Sequence, residues 1–83
     1  MTPAELLAFE ATYPMSTPDR DERIRRELGI TPVRYYALLD RAARSLEGIA
    51  ADPFTARRVR ERADLRARRR EARTMRVPVL AVP

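Results

Sequence analysis

Apolar positions recur along this chain at helical spacing, and prolines and glycines divide them into four blocks. In the first block Leu6, Phe9 and Tyr13 fall at i, i+3 and i+7 and are joined by Leu7 and Ala11, a single helical stripe. Thr2 precedes it as an N-cap, with Pro3 at the first helical position and Glu5 three residues after the cap, a capping box; Pro14 ends the helix. The second block repeats the device. Thr17 caps, Pro18 begins, and Asp19, Asp21 and Glu22 sit near the positive end of the helix dipole. Its only large apolar residues, Ile24 and Leu28, give it a narrow buried edge. Gly29 supplies a left-handed stop, and Thr31 with Pro32 starts a third helix. That helix presents Tyr35, Leu38, Leu39, Ala42 and Leu46 and is expected to end at Gly48, with residues 49–53 as a short connection. Asp52 and Pro53 start the fourth, and no helix breaker occurs from Phe54 to about Arg76. Its stripe is thin: Ala56, Val59, Ala63 and Ala67, with Phe54 and Val59 predicted to close over the core. Residues 77–83 are apolar and interrupted by prolines, which predicts that they cannot extend the helix.

These elements predict an all-α fold with no strand. Residues 1–53 form a small three-helix domain with a helix-turn-helix, residues 54–76 a long basic helix, and residues 77–83 an apolar tail. The helix-turn-helix reading rests on Gly29. Buried positions in such units fall five and one before the turn glycine, then one, six and nine after it. Here these are Ile24, Leu28, Ile30, Tyr35 and Leu38, all apolar. Two helices crossing steeply can share one core only if those side chains turn inward together. Four residues before the glycine, where a small residue suits the crossing, the chain has Arg25, whose stem could lie along the edge with its head in water. Two amphipathic helices joined at a glycine would match several of these positions through core packing alone.

Charge sharpens the picture. All 17 basic residues are arginine, and the net charge is +5. Residues 1–53 carry 7 Arg against 9 acids, and residues 54–83 carry 10 Arg against 3, so the positive excess lies wholly in the last third. That asymmetry predicts a polyanionic partner. A solvated helix with ion pairs among Arg62, Arg66, Arg70, Glu61, Asp64 and Glu71 is the plainer alternative. A membrane-surface helix is disfavoured because the apolar face is mainly alanine.

Several chemistries lack their residues. There is no cysteine and no histidine, so no disulfide, no thiolate metal site and no imidazole base. Ser16 and Ser45 have nothing to activate them, and Glu5 and Glu10 read as helix caps and first-turn charges rather than an acid–base pair. The expectation is a non-enzymatic protein without cofactor or metal. No apolar run approaches a membrane span and no signal-peptide order opens the chain, so a cytoplasmic location is expected.

Four segments carry a resemblance: Leu7 to Glu10, Gly29 to Tyr36, Asp52-Pro53 and the arginines from Arg57 onward. Together they resemble a family of small actinobacterial proteins of unknown function, also found in phages. Its members share a Leu-x-Phe-Glu helix, a Gly-x-[Ser/Thr]-x-x-Arg-Tyr-Tyr segment, an Ala-Asp-Pro helix start and an Arg-rich tail. Members usually carry an aromatic pair soon after the first Phe-Glu, where this chain has only Tyr13. The resemblance implies a helix-turn-helix-like fold and no established activity.

The leading expectation is DNA binding, by a small transcriptional regulator or nucleoid-type protein. The helix from Thr31 would enter the major groove with Thr31, Val33, Arg34, Ala37 and Arg41 outward. Tyr36 either covers the core edge or touches sugar-phosphate. Arg57, Arg58, Arg60, Arg62, Arg66, Arg68, Arg69, Arg70 and Arg73 would grip the backbone. Two copies could pair along the alanine stripe as a homodimer. The alternatives are an adaptor that binds another protein, such as RNA polymerase or a phage target, and an arginine-rich protein of RNA or the ribosome.

Overall fold

Each helix of the computed structural model begins at a side chain that caps it. The structure describes the backbone of residues 1–81 and the side chains of residues 1–74. Among these residues there are five α-helices: α1 Pro3–Thr12, α2 Pro18–Arg23, α3 Pro32–Arg44, α4 Leu46–Ala51 and α5 Pro53–Ala81; a π-helical turn, Ile24–Leu28, continues α2. No strand occurs among the described residues. The hydroxyls of Thr2, Thr17 and Thr31 accept from the backbone N–H of Glu5, Arg20 and Arg34, and Asp52 accepts from that of Thr55 at 3.0 Å. The Glu5 carboxylate closes the box by accepting from the Thr2 N–H.

The core joins Leu6, Leu7 and Phe9 of α1, Ile24 of the π-turn, Tyr35, Leu39, Ala42 and Ala43 of α3, and Ala56 and Val59 of α5. The first turns of α5 therefore belong to the same core as the preceding helices. Gly29 has φ 68°, the left-handed stop between the π-turn and α3, and it is the only positive-φ residue among those described. Of the five positions around it, Ile24 and Tyr35 are fully buried, whereas Leu28, Ile30 and Leu38 are only partly so. Leu39, rather than Leu38, is the buried leucine beside Tyr35 on α3. Arg25, at the position that suits a small residue, is exposed.

Several expectations are corrected. Gly48 does not end the third helix. The chain breaks three residues earlier at Ser45, ψ 151°, and the Ser45 hydroxyl donates to Ala42 O at 2.8 Å while accepting from Gly48 N–H at 3.0 Å. A serine that satisfies both sides of a break competes well with a continued helix. Residues 46–51 are consequently α4, not a connection, and Gly48 sits where an added Cβ would lie 1.9 Å from Ala42 O. Leu46, no longer on the register of α3, is 90% exposed. Phe54 is 84% exposed and does not cover the core. With Ala56 and Val59 turned inward, a residue two places earlier lies about 200° around the helix, on the opposite side. Ala11 likewise faces solvent. Finally, α5 does not stop near Arg76 but runs to Ala81 with Pro78 inside it. Proline's fixed φ is itself helical, so a helix can continue through one, at a general cost of about 3 kcal/mol for the lost N–H and the crowding of the preceding turn. The last two residues of the proposed apolar tail lie outside the described ones.

Candidate nucleic-acid interface

α5 carries the arginines, and its register sorts them. Arg58, Arg62, Arg66, Arg69 and Arg73 follow one another at intervals of four, four, three and four residues, so they share one face of the helix. All five are exposed. Arg62 is the one held by the core: its Nη1 donates to Glu10 Oε2 at 3.3 Å and to Pro14 O at 3.4 Å. Arg58, Arg66, Arg69 and Arg73 make no salt bridge among the described residues, nor do Arg68 and Arg70. Two other expected contacts are occupied. Arg60 donates to Ala43 O at 2.7 Å, fastening α5 to α3, and Arg57 pairs with Glu61 at 2.9 Å.

α3 divides its expected residues between two sides. Thr31, Arg34, Ala37 and Arg41 are exposed at spacings of three and four, one edge of the helix. Val33 and Tyr36 stand around the helix from that edge. They line a groove of about 660 Å³ with Pro14 and Met15 of the loop after α1 and with Val59, Arg62 and Arg66 of α5. Of the predicted site residues, the fold thus brings Val33, Tyr36, Arg62 and Arg66 together, and it leaves Thr31, Arg34 and Arg41 on a separate edge.

Behind the groove lies a buried polar cluster that the sequence reading missed. Glu10 and Arg20 are only 2% and 3% exposed and pair at 2.9 Å. Glu10 Oε1 also accepts from the Tyr35 hydroxyl at 2.8 Å. Arg20 donates to Tyr13 O at 3.0 Å and to the Tyr36 hydroxyl, which in turn bonds Ser16 Oγ at 2.9 Å. The guanidinium lies 5.6 and 5.5 Å from the Tyr35 and Tyr36 ring centres. Burial, and then the hydrogen bond to Glu10, push the Tyr35 phenol well above its ordinary value. For Arg20, burial works against the charge, but Glu10 and the two tyrosines outweigh it, so its pKa is raised. Tyr36 is accordingly a core-edge residue that orients Arg20. A signal for the cluster was present: Glu10 falls on the Leu6–Leu7 stripe, and Arg20 lies one turn before Ile24 on the narrow edge of its helix. Opposite charges at inward positions of neighbouring helices mark a buried pair.

The sequence profile of a family described as protein of unknown function, DUF3263, matches residues 2–74. The chain belongs to that family. No curated protein and no solved structure matches it. The DUF3263 match takes in the buried cluster, both edges of α3 and the whole arginine face of α5. No helix among the described residues is long and apolar enough to cross a membrane.

Proposed function

We propose that this protein binds duplex DNA, with the arginine face of α5 along the backbone and the Thr31–Arg34–Ala37–Arg41 edge of α3 toward the major groove, as a small regulator or nucleoid-type protein of the cytoplasm. The carrying observation is the single arginine face from Arg58 to Arg73, where only Arg62 has a partner among the described residues. Like charges gathered on one side of a rigid helix repel each other and are relieved by a polyanion. The face spans about 22 Å at the rise of an α-helix, a fair part of a DNA turn of about 34 Å. The left-handed Gly29 and the exposed Thr31, Arg34 and Ala37 at the N-terminal end of α3 agree with a helix-turn-helix.

Fluorescence anisotropy with random duplex, structured RNA and single strands at two salt concentrations tests this. Duplex should bind best, with affinity falling steeply with salt. Replacing Arg66, Arg69 and Arg73 together by glutamine should lower the salt slope by about three. Arg34→Ala should leave random-duplex affinity nearly unchanged and reduce discrimination among selected sites. No binding to any nucleic acid at low salt sinks the reading, and preferential RNA binding replaces duplex by RNA. An adaptor reading draws on a different observation, the exposed Leu46 and Phe54 around α4, which would serve a protein partner whose binding survives salt.

A further inference from the structure

The groove between the loop after α1, α3 and α5 has the size and lining of a ligand site. Its volume of about 660 Å³ is in the range that holds small molecules. Met15, Val33, Leu39 and Val59 form its apolar wall, with Val33 and Met15 81% and 71% exposed beside the buried Leu39 and Val59. Charged residues on the lining are Glu10, Arg20, Arg62 and Arg66: one acid against three arginines, a local excess of two positive charges.

That balance selects the ligand. Both Glu10 oxygens already accept hydrogen bonds, from Arg20, Tyr35 and Arg62, so the single acid is committed. Arg20, almost wholly buried, has its Nε without an acceptor among the described residues. Arg66 stands at the rim with no salt bridge among them. The hydroxyls of Ser16 and Tyr36 add neutral polar atoms. A cation would meet the wrong sign, and a neutral apolar molecule would leave the arginine excess uncompensated.

We infer that this groove is a binding site for a small organic anion, whose apolar body lies against Val33 and its neighbours and whose anionic head is held by Arg66 and Arg62. Its lining residues all come from this chain, and its test contains no nucleic acid.

The experiment titrates the full chain with anilinonaphthalene sulfonate, an anion with an apolar aromatic body, and with phenylnaphthylamine, the same body without charge. Fluorescence gives affinity and calorimetry gives stoichiometry. The sulfonate is expected to saturate a single site and to bind about tenfold more tightly than the neutral probe, the effect of one charge-assisted hydrogen bond. Arg66→Ala is expected to abolish that preference, and Val33→Asp to weaken both probes. Arg58→Ala, outside the groove on the same arginine face, is expected to change neither. Circular dichroism melts of each exposed-site variant confirm that the fold is intact. Equal affinity for the two probes, sulfonate binding indifferent to Arg66→Ala and Val33→Asp, or equal loss with Arg58→Ala overturns the proposal.

Discussion

Removing the Glu10 carboxylate leaves Arg20, only 3% exposed, as a charge without its counter-charge. Its hydrogen bonds to Tyr13 O and Tyr36 would remain, but its counter-charge would not. Breaking a buried pair from one side is the costly direction, on the order of 3 kcal/mol or more. Glu10→Ala is therefore expected to lower the urea midpoint sharply, and a shift under about 1 kcal/mol, the level of a surface pair, would contradict it. Tyr35→Phe is milder at neutral pH, because Glu10 Oε1 keeps its bond to Arg20; about 1 kcal/mol is expected. The same residue governs alkaline behaviour. Burial and the bond to Glu10 make the folded state hold the phenolic proton more tightly than the unfolded chain does. Stability from this group is complete below the ordinary tyrosine value of about 10 and is lost as the pH rises above it toward the folded value. Melting between neutrality and strong alkali should show the loss in the wild type, and Tyr35→Phe should flatten it.

At the scale of elements, the two glycines act for different reasons. Gly29 needs a left-handed backbone, but no atom lies within 4 Å of a Cβ built there. Gly29→Ala should cost only the conformational penalty, about 1 kcal/mol, with Gly29→Asn closer to wild type. Gly48 has an ordinary backbone and no space, since its Cβ would strike the Ala42 carbonyl. Gly48→Ala must push α4 off the end of α3, which should cost about 2 kcal/mol or more as an overpacked contact. Chemical denaturation of both variants distinguishes the cases; a larger loss at Gly29 than at Gly48 would reverse this account. α5 is likewise two elements in one helix. Thr55, Ala56 and Val59 are core, whereas every residue from Arg68 to Thr74 is exposed. Charge can thus be stripped from its outer half without touching the packing.

For the whole molecule, the proposed duplex and the proposed small anion would meet on Arg62 and Arg66. Saturating anilinonaphthalene sulfonate should accordingly weaken duplex binding in the wild type and have less effect on Arg66→Ala. Undiminished duplex affinity would place the two ligands on separate surfaces. The dimensions of 53 × 28 × 17 Å reflect α5 reaching past a small core, which sets the arginine face apart from the α3 edge.

Local chemistry alone determined where most helices begin. Threonine or aspartate before proline satisfies the first free N–H groups without help from elsewhere, and each such start is found where the sequence predicts it. The glycine stop at Gly29, the all-α class and the arginine face of α5 follow from the same short-range rules. What tertiary structure decided are the places where one helix meets another. The Ser45 break and α4 depend on Gly48 fitting against Ala42 O, a contact that helical periodicity does not encode. The chemistry of Phe54 predicts a core residue, yet the register set by Ala56 and Val59 turns it outward. Glu10 looked like a helix-end charge until the fold set Arg20 beside it. Desolvation belongs to an assembled interior, so only packing could turn those two surface-type residues into a buried pair and leave an arginine-lined groove in front of them.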